Sequence, residues 1–157
     1  MALEFSPEVY KKFDETLNRY PTKEAAILPV LYLAQQEFGY LGQEAIDYIA
    51  QLMGQSPARV CGVVSFYTML NTKPIGRHHI QVCRTLSCAL RGAEQLTGFL
   101  KKTLGIEVGQ TTADGRFTLS EVECLASCGT APMMQINDDY YENLTDEKVT
   151  EILASLK

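Results

Sequence analysis

The sequence predicts an α/β protein in two parts, a small N-terminal helical bundle followed by a compact layer of strands and helices. Two observations carry this. Apolar residues recur at helical spacing up to about residue 70, and the Lys73-Pro74-Ile75-Gly76 stretch then ends that period. Beyond it the order is strand, helix, strand, hairpin strands, helix, which describes an α/β layer and places the boundary between residues 1–73 and 74–157.

Ser6-Pro7 supplies a cap and a first-turn proline for a helix with Val9, Phe13 and Leu17 at four-residue spacing, ended by Tyr20-Pro21. Thr22 caps a second helix, in which Ile27, Val30, Leu31, Ala34 and Phe38 share one face and Gly39 is the stop. Pro29 fits badly in a helix begun at Lys23, so a kink, or regular helix only from about Ile27, is expected. Ile46, Ile49, Ala50 and Met53 mark a third helix closed by Gly54, and Ser56-Pro57 opens a fourth with Val60, Val63, Val64 and Tyr67. Cys61, in that last helix without ligand-type neighbours, is expected to be a small buried apolar residue. Val9, Phe13, Ile27, Val30, Ile46, Ile49 and Tyr67 are more apolar surface than such short helices easily hide, so part of it is expected to cover a partner.

After the break, Ile80 and Val82 alternate as a strand running into Cys83. Residues 87–104 read as one helix with Leu90, Ala93, Leu100 and Leu104 inward, ended by Gly105. Ile106 and Val108 suit a second strand, Asp114-Gly115 a hairpin turn, and Phe117, Leu119 and Val122 a strand leading to Cys124. Met134 and Ile136 form another strand, and Thr145 caps a last helix with Val149, Ile152, Leu153 and Leu156 inward.

The chain of 157 residues, 46% hydrophobic, is long enough to bury a core without metal. Its net charge of −5 suits phosphate backbones poorly and argues against nucleic acid. The longest apolar run, residues 25–34, contains Pro29 and is about half of what a membrane span requires, so no direct membrane insertion is expected. Neither a Gly-rich dinucleotide loop nor a phosphate-binding loop is present.

Four of the five cysteines form two close pairs, Cys83-x4-Cys88 and Cys124-x3-Cys128, both at or just past strand ends. Each pair can aim two sulfurs at a common point, which describes a four-thiolate metal site for zinc or an iron cluster. Zinc is usually pinched by C-x2-C turns, and the wider loops here leave room for bridging sulfides, so iron is favoured and a zinc-stabilised interaction module is the alternative. Disulfides are not expected, because Met-Ala-Leu-Glu-Phe-Ser lacks the basic and apolar regions of an export signal, and C-x-x-C redox spacing is absent.

Charge on such a centre needs donors. Cys88 lies near a helix start, and the small residues of Cys128-Gly129-Thr130-Ala131-Pro132 let backbone amides approach sulfur. Arg84 either offsets charge or is simply exposed. His78 and His79 are read as polar residues ahead of the strand rather than ligands. Tyr140, Tyr141, Asp138, Asp139 and Glu142 are either a partner-facing patch or a solvated hairpin.

Residues 80–83 (Ile-Gln-Val-Cys) through Cys88 and Gly92, then Gly109-Gln110-Thr111-Thr112-Ala113-Asp114-Gly115-Arg116-Phe117-Thr118-Leu119, then 122–132 from Val122 to Pro132, closely resemble the thioredoxin-like 2Fe-2S ferredoxin family in the form it takes in respiratory NADH:quinone oxidoreductase (complex I). The resemblance extends to Pro29, Gln35 and Gly39, and to Val64-Ser65-Phe66-Tyr67, so it covers most of the chain. It implies a thioredoxin-like 2Fe-2S domain behind the helical bundle and one 2Fe-2S cluster on Cys83, Cys88, Cys124 and Cys128. It further implies an electron-transfer subunit of an oxidoreductase complex, in which an NADH- and FMN-binding flavoprotein is the partner and holds both of those ligands. The implied location is cytoplasmic, peripheral to the inner membrane through the complex. The same type of chain resembles parts of NAD-reducing hydrogenases and NAD-dependent formate dehydrogenases. One departure is Ala126-Ser127, where the family pattern has Gly-Ala.

Overall fold

The computed structural model describes residues 3–156, which fall into two compact units, Met1–Pro74 and Ile75–Lys157. The first contains α1 (Pro7–Leu17), a 3-10 turn at Glu24–Ala26, α2 (Ile27–Phe38), α3 (Gln43–Met53) and α4 (Pro57–Phe66). The caps follow side-chain chemistry: the hydroxyls of Ser6 and Ser56 accept from the amides of Val9 and Arg59. Thr22 caps only the 3-10 turn, through the Ala25 amide. Regular helix begins at Ile27, which puts Pro29 in the first turn, where no amide is needed.

The helices hide their own apolar faces. Phe13, Val30, Ile46 and Ile49 are buried with Leu31, Leu41, Met53, Val60 and Val64, and Val9, Ile27 and Tyr67 pack against them half-buried. This corrects the expectation that these residues are surplus surface for a partner: the third and fourth helices close over the first two. The large apolar side chains left exposed in this unit are others, chiefly Phe66 and Met69. Cys61 is also exposed, against expectation; Val60 and Val64, on the neighbouring turn positions, take the inward face instead. Gln35 spans the loop after α4, its amide nitrogen donating to the Met69 carbonyl at 3.0 Å and its oxygen accepting from the Asn71 amide at 2.6 Å.

The second unit holds a four-stranded sheet in the order β2-β1-β3-β4. β1 (His78–Cys83) is central, with β2 (Phe117–Val122) parallel on one side and β3 (Met134–Ile136) antiparallel on the other; β4 (Asp139–Tyr141) closes a hairpin with β3. Ile80, Val82, Leu119, Met134 and Ile136 form one core with Leu96 and Leu100 of α6 (Ala93–Leu104) and with Val149, Ile152 and Leu153 of α7 (Asp146–Ser155).

Three expectations are corrected here. The helix expected over 87–104 is two, α5 (Leu86–Leu90) and α6, because Gly92 adopts φ +101° between them. Leu90 therefore ends the short α5 and is exposed, while Cys88 points inward. Ile106 and Val108 form no regular strand; the arm that runs beside β2 is residues 109–112. There the Gly109 amide donates to the Leu119 carbonyl and the Leu119 amide to the Gln110 carbonyl, a bulged pairing that leads into the Asp114-Gly115 turn. His78 and His79 lie inside β1 rather than ahead of it, because Arg116 and Asn137 supply partners for their amides and carbonyl.

Candidate metal centre

Cys83 is the last residue of β1, held from both sides: it pairs with Val122 of β2, and its amide donates to the Met133 carbonyl at 3.3 Å. The chain then turns at Thr85, and one short helix carries Cys88 back, so that both thiols are buried with Ala93, Ala131, Met133 and Leu125. Their sulfurs are close enough for each to shift the ionisation of the other. β2, parallel to β1, delivers Cys124 just beyond the same end of the sheet, and Cys128 opens a 3-10 turn, Cys128–Thr130, before β3. Cys124 and Cys128 are exposed, and all five cysteines are free thiols.

The Leu125 amide, in the second pair's segment, favours the thiolate of Cys83 in the first. Burial pushes the Cys83 thiol up, but the Thr85 hydroxyl, the amides of Leu125 and Thr85, and the Cys88 thiol outweigh it and leave Cys83 below its ordinary value. Cys88 is pushed up to about 11 by burial first and then by Cys83, opposed by the Met133 amide. Cys128 lies within electrostatic reach of Cys88, and the Cys124 sulfur accepts from the Ala126 amide at 3.3 Å. Four thiols and a set of amides aimed at sulfur are the donor chemistry an iron-sulfur cluster requires, since amide hydrogen bonds compensate the negative charge of its thiolates. Among the described residues no three His, Cys, Asp or Glu side chains converge tightly enough to grip a single metal ion.

The neighbours read from sequence are accounted for. Arg84, beside Cys83, pairs with Glu123, beside Cys124, at 2.5 Å; both are exposed, and the bridge ties together the residues that flank the two cysteine segments. His79 is buried and its Nε2 lies 2.8 Å from the Ser120 hydroxyl, while the His78 ring packs on Phe117, so both imidazoles have structural roles at the far end of β1. Sequence reading missed the contacts around Cys128. The Glu142 carboxylate accepts from the hydroxyl of Ser127 and, at 2.7 Å, from that of Thr130; these two bonds hold it below the usual carboxylate range. The signal was there in the hydroxyl residues Ser127 and Thr130 bracketing a candidate ligand. No helix among the described residues is long and apolar enough to cross a membrane.

Residues 13–157 match the model of the family described as thioredoxin-like [2Fe-2S] ferredoxin. The chain is 46% identical over 147 residues to the E subunit of the NADH-quinone oxidoreductase of Rickettsia conorii, covering 92% of this chain and 88% of that protein. It is 47% identical over 147 residues to NADH-quinone oxidoreductase subunit 2 of Thermus thermophilus, covering 92% and 81%. Among solved structures, a chain of an NAD+-reducing [NiFe]-hydrogenase in the air-oxidised state superimposes with a TM-score of 0.73 at 22% identity. That match covers 83% of this chain and 22% of that one, and so speaks for the fold alone.

Proposed function

The chain belongs to the thioredoxin-like [2Fe-2S] ferredoxin family, and from that premise we propose that it is the electron-transfer subunit of an NADH:quinone oxidoreductase, with Cys83, Cys88, Cys124 and Cys128 as the four ligands of one cluster. The observation that carries this is near-full-length identity of 46–47% to subunits of that complex, against 22% to the hydrogenase chain. Family membership also favours iron over zinc as the occupant.

When bound, a 2Fe-2S cluster supplies a one-electron relay. The chain's own residues prepare for it. The amides of Leu125 and Thr85 favour the Cys83 thiolate and that of Met133 the Cys88 thiolate, so backbone dipoles already in place stabilise the charge. Leu125, Ala131 and Met133 pack around the two buried thiols and exclude water from them. The partner that goes with this assignment is an NADH- and FMN-binding flavoprotein of the same complex. The location that goes with it is the cytoplasmic face of the inner membrane, reached through the complex.

The test is absorption and EPR of the purified chain. Wild type is expected to be reddish-brown and to give an EPR signal on one-electron reduction; serine at 83, 88, 124 or 128 is expected to remove most of the colour, and Cys61→Ser to keep it. NADH is expected to bleach the cluster only after the flavoprotein is added. A colourless wild-type protein with stoichiometric zinc sinks the proposal.

A further inference from the structure

The turn between β4 and α7 is folded onto the segment that carries Cys128. The Asn143 amide donates to the Thr130 carbonyl at 2.7 Å and the Leu144 amide to the Pro132 carbonyl at 3.1 Å. These bonds place Glu142, partly buried, against the hydroxyls on either side of Cys128. An ionised carboxylate only accepts, so the Ser127 and Thr130 hydroxyls are its donors, with the Ser127 carbonyl a second acceptor for Thr130 at 3.2 Å. The two hydroxyl oxygens are themselves hydrogen-bonded at 2.6 Å, so Ser127, Thr130 and Glu142 form one network around Cys128. Lys148, in the first turn of α7, donates to the Glu142 carbonyl at 2.5 Å and is the cation facing this group. An alanine at 127 has no hydroxyl to offer this carboxylate.

We propose that Glu142 is a positioning residue for the second cysteine segment: it clamps Cys128 from both sides through Ser127 and Thr130, and its charge lowers the reduction potential of the cluster held there. The inference rests on the cluster assignment above. Two physical arguments support it. Between the apolar anchors Leu125 and Ala131, Cys128 is exposed and lies outside the buried cluster, so a charge-assisted clamp on Ser127 and Thr130 helps fix the sulfur's position. A fixed negative charge beside a centre that becomes more negative on reduction disfavours the added electron.

The experiment uses the full chain loaded with iron and sulfide, measured by potentiometric titration and by the rate of cluster loss to a chelator. Glu142→Gln keeps an oxygen acceptor and removes the charge; its midpoint is expected to move to a more positive potential, with release between the wild-type rate and that of Glu142→Ala. Lys148→Met removes the opposite charge, and its midpoint is expected to move the other way, a pairing of signs that a purely structural role does not produce. Glu142→Ala leaves the backbone bonds of 143 and 144 in place but removes the carboxylate on which both hydroxyls converge, and about three- to tenfold faster cluster loss is expected, with part of that loss in Ser127→Ala. An unchanged midpoint in Glu142→Gln, or an unchanged release rate in Glu142→Ala, overturns the inference and leaves the cluster assignment standing. A wild-type chain that takes up zinc and no cluster overturns both.

Discussion

Ala126 adopts φ +61°, a left-handed conformation in which a Cβ crowds the following carbonyl. Glycine has no Cβ to crowd that carbonyl, so Ala126→Gly is expected to stabilise the loop by about 1 kcal/mol and to slow cluster loss; urea unfolding with the absorption decay checks both. His79 sets a pH dependence. Burial lowers its folded-state pKa below the ordinary 6.5, so the unfolded chain binds the proton more readily. The stabilisation is therefore complete above pH 6.5 and declines as pH falls through the folded value, and a His79→Gln variant is expected to lose that part of the acid sensitivity in urea midpoints compared at about pH 7.5 and about pH 5. At this scale the sequence was legible where chemistry is carried by spacing. The two cysteine pairs stand out on reading, but the amides of Leu125 and Met133 reach Cys83 and Cys88 only through a fold that brings residues about forty apart together. Cys61 was misread for a simpler reason: the face a helix buries is settled by its neighbours, and Val60 and Val64 claimed it.

Helix ends were readable because caps are local. Ser6, Thr22, Ser56 and Thr145 all accept the amide bond their positions promise. Strand partners were not, since pairing is decided at a distance: β1 takes β2 in parallel and β3 antiparallel, and nothing near Ile80 specifies either. The failed strand at Ile106 and Val108 is of the same kind, an apolar pair whose segment is turned aside when the Glu107 amide donates to the Gln110 side chain. The approach to β1 is tightly built. A Cβ on Gly76 would lie 2.9 Å from the Phe117 backbone, where the Gly76 amide already donates to the Thr118 hydroxyl. Gly76→Ala is expected to cost about 1–3 kcal/mol, read as a lower urea midpoint, because backbone rather than a flexible side chain must yield.

Each unit has a core of its own, Phe5 through Leu70 in the first and Ile80 through Leu153 in the second. The cysteine pairs belong entirely to the second, so a fragment of residues 75–157 is expected to take up the cluster and show its visible spectrum. The same fragment is expected to be retained poorly by the flavoprotein in a pull-down, because it lacks the exposed Phe66 and Met69 of the helical part; retention equal to the full chain would assign those helices another role. The sheet itself bears on how the chain survives before any metal arrives. β2 is lined on its outer side by the bulged arm of residues 109–112, and the opposite border is β4, three residues long with Asp138 and Asp139 at its start. Short, acidic or occupied borders give another copy little to pair with. Newly made apoprotein is thereby protected from strand-to-strand aggregation during the interval in which it waits for iron and sulfide.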